Sequence, residues 1–328
     1  MLALKRLGID NYMLLLCAMV IAGALAPARG VAAEILGQVT FWAVALLFFL
    51  YGAKLDTASV RAGLMNLRLQ ALCLGATYLL FPVIGLALVA LLGEPIGPEL
   101  ALGILFLAVL PSTVQSSIAF TGIAGGNVAA AICAASLSNL VAIVLTPALM
   151  ALTMHRSGGV SGGAVVKIGV QILLPFLAGQ LSRPWLAGIL GRAKRLTLIV
   201  DRTAILLIVY AAFSAGTAAG LWSTIPGRRL AILFATVLVF LALAMGAMIL
   251  AGRVFGLPAA DRATLFFCGS TKSLASGLPI STAIFPPSAV GAIVLPLMLF
   301  HLSQLLVCAL VAQRTSRRAP YREGRARA

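Results

Sequence analysis

The chain has 328 residues, 62% hydrophobic and only 10% charged, against about 25% charged in soluble domains. Roughly two hundred apolar positions are enough for about ten membrane helices of ~20 residues each, and this composition excludes both a soluble globular protein and an intrinsically disordered one. The net charge of +16 comes from basic residues that flank apolar runs, not from a basic, aromatic-interleaved groove, which excludes a nucleic-acid partner.

Taken in chain order, apolar runs bounded by charges, Gly and Pro predict ten spans. The first five are Tyr12 to Ala26, Ile35 to Ala53, Leu69 to Leu92, Pro98 to Ala124 and Asn127 to Thr153. The second five are Val165 to Leu181, Ile199 to Leu221, Leu230 to Ala251, Ala260 to Phe285 and Ser288 to Ala312. The predicted fold is therefore an all-α polytopic membrane protein. Residues 1–153 form one unit, 164–313 a second, and 314–328 a basic, disordered tail attracted to anionic lipid head groups. Cys17, Cys73, Cys133, Cys268 and Cys308 lie inside apolar runs without CxxC spacing, so neither a disulfide framework nor a zinc site is indicated.

Short loops carrying Lys and Arg face the cytoplasm. With both termini inside, eighteen basic residues fall on the cytoplasmic side, among them Lys5, Arg6, Lys54, Arg61, Arg202 and the tail arginines. Five fall outside: Arg29, Arg156, Lys167, Arg228 and Arg229. A competing reading makes Lys5-Arg6, the first apolar run and the small residues Gly30 to Ala33 a cleaved signal peptide. The excess of Arg over Lys and the abundance of Ala and Gly suggest a bacterial inner membrane.

Landmarks recur at an offset of about 160 residues: Leu69 with Leu230, Pro111 with Gly269, Gly126 with Ser288. A five-span unit crosses the membrane an odd number of times, so its second copy is inverted, as in many secondary transporters. Spans four and nine are both interrupted. Span four gathers Pro111, Ser112, Thr113, Gln115, Ser116 and Ser117 in mid-run. Span nine gathers Gly269, Ser270, Thr271, Lys272, Ser273, Ser276 and Pro279. Proline removes a backbone donor, and hydrocarbon satisfies no freed carbonyl, so both segments belong against protein or a watery cavity. Two such breaks at mid-membrane expose N–H groups near Ser116 and Ser276 and carbonyls at the ends of the first halves. The plainer alternative is a pair of packing kinks.

Lys272 lies ten positions past Arg262, about 15 Å deep at 1.5 Å per residue, where a lysine costs on the order of 2.5–3.5 kcal/mol. All eight acidic residues fall at span ends or in loops. Three compensations are open: an anionic substrate, loss of the proton, or carbonyls and hydroxyls that solvate the ammonium as a built-in brace. Ser136, Ser138 and Asn139 of span five, and His301 with Gln304 of span ten, complete the polar inventory, each readable as a site residue or a packing partner. The candidate substrate- or ion-binding set is Gln115, Ser116, Ser117, Ser136, Asn139, Thr271, Lys272, Ser273 and His301. No His-Glu metal motif or aspartyl pair points to an enzyme, and Ser270 and Lys272, two apart, diverge on a helix.

The segments Leu110 to Pro147, FCGSTKSLASGLP (Phe267 to Pro279) and FHLSQLLV (Phe300 to Val307) resemble the bile acid:sodium symporter family, most nearly its sodium/bile acid cotransporter 7 branch, over Tyr12 to Gln313. The resemblance implies ten helices in two inverted repeats, with spans one, two, six and seven as a panel and the others as a core in which the fourth and ninth cross. It further implies alternating access, with substrate held between panel and core. In the family's sodium-coupled members the span-nine motif carries a glutamate and a glutamine-asparagine pair; here those positions hold Phe267, Thr271 and Lys272. Two span-five hydroxyl ligands fall on Ala131 and Ala135, and the span-four serine-asparagine pair falls on Ser116-Ser117. Both sodium sites thus lose a ligand, and a lysine in place of a bound cation makes sodium-independent transport of an organic anion, with no cofactor, the simpler expectation. A proton-coupled antiporter-like exchanger using Lys272 or His301, and a non-transporting membrane regulator of ion entry, are the alternatives.

Overall fold

Backbone polar groups in a hydrocarbon-rich chain have to pair within their own segment, and the helix does this at every residue. The computed structural model describes residues 11–54, 66–155, 169–220 and 225–326. These form twelve helices: α1 Asn11–Leu25, α2 Val31–Lys54, α3 Leu67–Ile96, α4 Pro98–Ala108, α5 Gln115–Ile123, α6 Val128–His155, α7 Leu174–Arg192, α8 Lys194–Ala218, α9 Gly227–Val254, α10 Ala259–Gly269, α11 Leu274–Ile284 and α12 Pro287–Ala326. Six helices among the described residues are long and apolar enough to cross a membrane. Large apolar side chains such as Leu25, Trp42, Leu79, Leu91, Trp185 and Val254 point outward, as a lipid-facing surface requires. The chain is an all-α polytopic membrane protein.

The predicted spans one to five match α1, α2, α3, the α4/α5 pair and α6. Spans seven, eight and ten match α8, α9 and α12, and span nine is the α10/α11 pair. Three boundaries differ. Span six does not stop at Leu181; helix α7 runs through Pro184 to Arg192, because one proline removes a single helical bond and the turns on either side keep theirs. Helix α8 begins at Lys194, five residues before the predicted start, which puts Asp201 and Arg202 inside it. The expected disordered tail instead continues α12 to Ala326, since extending a formed helix is cheap and Ala, Arg and Gln are good helix formers. The basic residues Lys5, Arg6, Arg61, Arg156, Lys167 and Arg327, and the start of span six at 165–168, lie outside the described residues.

Helices α1, α2, α7 and α8 pack on one another, and α3, α4, α5, α6, α9, α10, α11 and α12 pack among themselves, with α8 bridging to α11 and α12. Small residues set the closest approaches. A Cβ on Gly52 of α2 would run into the Phe176 carbonyl, and one on Gly179 of α7 into the Phe49 carbonyl. Gly103 of α4 similarly faces the Ile293 backbone of α12. A single residue, Gly97 with φ +95°, joins α3 to α4, a left-handed turn that a side chain would strain.

Two π-helical turns interrupt this regularity, at Ala76–Leu80 within α3 and at Gly169–Leu173 ahead of α7. Each is followed two residues later by proline, Pro82 and Pro175. A proline ring clashes with the carbonyl four residues back, and widening the turn relieves the clash.

Candidate functional site

Both interrupted spans are broken, and the breaks touch. Between α4 and α5 the helix is interrupted at 109–114, around Pro111, and between α10 and α11 it is interrupted at 270–273. The Ser273 N–H donates to the Pro111 carbonyl at 2.8 Å. A side chain from a long helix then clamps each strand. Gln304 of α12 accepts from the Lys272 N–H and donates to the Lys272 carbonyl, both at 2.8 Å. Asn139 of α6 donates to the Ser112 carbonyl at 2.9 Å, while the Ser138 hydroxyl accepts from the Ser112 N–H at 3.0 Å. Thr146 donates to the Val109 carbonyl at 2.7 Å. These bonds satisfy backbone groups that the lost helical turns leave over.

The Lys272 side chain is fully buried, and its Nζ donates to the carbonyls of Thr77 (3.0 Å), Ala108 (3.0 Å) and Leu110 (2.6 Å). Each acceptor is free for a reason written in the sequence. In the π-turn the Phe81 N–H goes to the Ala76 carbonyl; the next donor in line for Thr77 would be residue 82, a proline with no N–H. The Ala108 and Leu110 carbonyls belong to the end of α4, where helical donors run out. The fourth side of the ammonium faces the Phe81 ring, 4.0 Å from its centroid, a cation–π contact in a cluster with Phe240 and Phe300. Lys272 is thus neither at bulk water nor paired with a carboxylate. Of the three compensations open from sequence, the geometry has the carbonyl one.

Next to it lies a knot of hydroxyls. Thr271 Oγ1 is within 2.9 Å of Ser117 Oγ and 3.1 Å of Thr113 Oγ1, Thr113 within 2.6 Å of Ser117, and Thr271 donates to the Phe267 carbonyl at 2.8 Å. A resident sodium ion would need oxygens turned to a shared centre. Thr113, Ser117 and Thr271 offer hydroxyl oxygens, Ala131 and Ala135 offer no side-chain oxygen, and among the described residues no carboxylate hydrogen-bonds to them, a donor set poor in charge for a sodium ion. Among the described residues no group of three or more His, Cys, Asp or Glu could hold a metal. The Gly126-Asn127 turn serves a separate junction: Asn127 Nδ2 and Asn66 Nδ2 both donate to Asp261, at 3.0 and 2.9 Å, tying the start of α10 to α3 and α6.

On the other side of the crossing a cavity of about 760 Å³ opens between the two helix groups, within the range of drug-sized ligand sites. Its floor carries Gln115, Ser116, Ser136, Asn139, Ser273, Ser276 and His301, its walls are apolar side chains such as Phe48, Phe120, Ile143 and Phe176, and Lys54, Asp201 and Arg202 stand among its lining. The first residues of both α5 and α11 face it, so two helix N-termini, each equivalent to roughly half a positive charge, point at one space. Ser273 caps α11 by accepting from the Ser276 N–H, and the Ser276 hydroxyl donates to Asn139 Oδ1 at 2.6 Å. Lys54 and Asp201 form an ion pair at 2.8 Å, and the Arg202 guanidinium lies 4.8 Å from the Tyr12 ring centroid.

Six of the nine sequence-predicted residues, Gln115, Ser116, Ser136, Asn139, Ser273 and His301, therefore line one cavity. Ser117, Thr271 and Lys272 are buried behind it in the knot and the carbonyl cradle. Sequence reasoning missed Tyr12, Lys54, Asp201 and Arg202, which the long-range packing of α1, α2 and α8 brings together. The available signal was the Asp201-Arg202 pair, which the predicted start at Ile199 puts at a span end and the helix start at Lys194 puts further in.

The chain matches the model of the "SBF-like CPA transporter family" over residues 10–317. It is 46% identical over 311 residues to the "Uncharacterized protein PA2026" of Pseudomonas aeruginosa, covering 94% of this chain and 93% of that protein. To the "Putative symporter YfeH" of Escherichia coli it is 41% identical over 312 residues, again covering 94% and 93%. To "Sodium/bile acid cotransporter 7" of Mus musculus it is 29% identical over 273 residues, covering 82% and 80%. With six helices of spanning length, two broken helices crossing beside a cavity, and this match, the chain belongs to the SBF-like CPA transporter family.

Proposed function

We propose that the protein is a secondary active transporter that moves a small or amphipathic organic anion by alternating access, without sodium, across a bacterial inner membrane. One observation carries this reading: the N-termini of α5 and α11 open on the same largely apolar cavity, a combination that attracts negative charge and accommodates a hydrophobic body. Gln115, Ser116, Asn139, Ser273, Ser276 and His301 orient the anionic group, and Arg202 of α8 adds positive charge, the Lys54 charge being balanced by Asp201. Lys272 acts from behind, as a fixed cation tied to the crossing, where sodium-coupled relatives hold an ion.

Ten spans in two inverted repeats account best for the arrangement. The broken pairs α4/α5 and α10/α11 lie about 160 residues apart, and the clamp of Asn139 on Ser112 has its counterpart in Gln304 on Lys272. In this reading α1, α2, α7 and α8 are the panel, the remaining helices are the core, both termini are cytoplasmic, and the cavity opens inward. Similarity to cotransporter 7 proteins, at 26–29% identity, supports comparison with that branch. Proton coupling is the second reading, favoured by His301, whose ring both lines the cavity and lies 2.9 Å from Gln304 Nε2.

The test is uptake of labelled taurocholate, an impermeant amphipathic anion, into membrane vesicles with and without the protein. Protein-dependent uptake, blocked by cholate and not by its neutral methyl ester, is expected. No protein-dependent uptake, or equal block by the ester, overturns the anion assignment.

A further inference from the structure

A second cavity of about 860 Å³ lies at the opposite end of α11, between α2, α8 and the start of α12. It is separate from the first: α11 contributes Leu274, Ser276 and Ile280 to one and Thr282 to the other. Its walls are mostly small residues, among them Ala33, Gly37, Ala211 and Ala215, which is why the space exists at all. Three buried polar side chains line it, Gln171 at 2%, Thr40 at 6% and Ser214 at 1% exposure, and the Ser214 hydroxyl already accepts from the Ala28 N–H. Gln171 Oε1 and Thr40 Oγ1 are each without a hydrogen-bond partner. In a membrane helix an unpaired polar group of this kind is costly. Gln171 sits in the π-turn ahead of α7, the irregular turn that Pro175 imposes, and such turns concentrate at functional sites.

The geometry points to a second ligand site here, for the hydroxyl or amide N–H groups of an organic solute. Gln171 Oε1 is an acceptor only, and Thr40 Oγ1 accepts as well as donates, so the pair selects a group that donates. Among the described residues no charged side chain lines this cavity, which suits a neutral part of the solute. Resting on the proposed transport of an organic anion, the inference adds to the substrate's description: it carries donor groups apart from its acidic end, and these are held by Gln171 and Thr40 at the face opposite the first cavity.

Gly37 offers a reporter, because a Cβ there meets nothing within 4 Å. Gly37→Cys is placed in a Cys17→Ser background, Cys17 being exposed and the other four native cysteines buried. Ser136→Cys in the same background reports on the first cavity. Maleimide labelling in lipid nanodiscs is measured against cholate, which bears three hydroxyls, and against 5β-cholanate, which shares its skeleton and carboxylate and bears none.

Cholate is expected to slow labelling at both reporters, and 5β-cholanate at Ser136→Cys alone. Adding Gln171→Leu and Thr40→Val is expected to raise the cholate concentration needed at Gly37→Cys on the order of tenfold, two hydrogen bonds being lost, and to leave Ser136→Cys unchanged. Protection at Ser136→Cys with none at Gly37→Cys overturns the second site and spares the transport reading. Equal protection of Gly37→Cys by both probes, or protection that survives Gln171→Leu with Thr40→Val, overturns the role of the two oxygens. Protection at neither reporter overturns both.

Discussion

Replacing Lys272 by methionine keeps the length and apolar stem of the side chain while removing the ammonium. The carbonyls of Thr77, Ala108 and Leu110 then lose their donor, and the Phe81 ring loses its cation. Unpaired buried acceptors cost about 1–3 kcal/mol each, a gross loss of roughly 3–9 kcal/mol for three. Removing a desolvated charge returns several kcal/mol of that. The balance is a loss of about 2–4 kcal/mol, or a fall in melting temperature of about 3–6 °C for a chain of this size. Thermal unfolding of the purified protein in nanodiscs measures it. In Lys272→Ala, which also vacates the side-chain volume, millimolar methylammonium is expected to restore part of the shift and neutral methanol none. A melting temperature unchanged in Lys272→Met refutes the bracing role.

Other consequences follow from the same contacts. Pro82→Ala supplies an N–H that competes with Nζ for the Thr77 carbonyl: it is expected to destabilise the parent protein by about 1 kcal/mol and to stabilise Lys272→Met, a reversal read from a double-mutant cycle of melting temperatures. Gly52→Leu drives a side chain into the α7 backbone at Phe176 and is expected to abolish recovery of monodisperse protein, whereas Gly37→Leu on the same helix leaves it intact. Asn139→Ala releases both the Ser112 carbonyl and the Ser276 hydroxyl and is expected to cut taurocholate uptake about tenfold or more at unchanged surface expression. Asp201→Asn weakens a partly exposed ion pair with Lys54, which is expected to cost less than about 1 kcal/mol.

The spans and their interruptions were legible because hydrophobicity, proline and buried polarity act locally. Pro111 and the polar run behind it mark the end of α4 and the start of α5, and Ser273 marks the cap of α11. Lys272 stood out for the same local reason, an ammonium without a carboxylate in its span. What answered it was not legible: the acceptors are backbone carbonyls on α3 and at the α4 terminus, which sequence does not name. The proline at 82 held the clue, since it empties the Thr77 carbonyl, but the partner is 195 positions away. The direction of the Lys272 side chain, away from the cavity that Ser273 lines, depends on the twist of an unwound strand. Asp201 and Arg202 were read as charges at a span end because the predicted span begins at Ile199, whereas the helix begins at Lys194 and carries both well inside it.

The central claim is that a tethered lysine stands where related carriers bind sodium, and uptake under ion replacement tests it most directly. Proteoliposomes loaded with potassium buffer are bathed in potassium buffer or in sodium buffer, and initial rates of labelled taurocholate uptake are compared at equal membrane potential. The account predicts protein-dependent uptake at the same rate in both. A rate at least tenfold higher with an inward sodium gradient contradicts it.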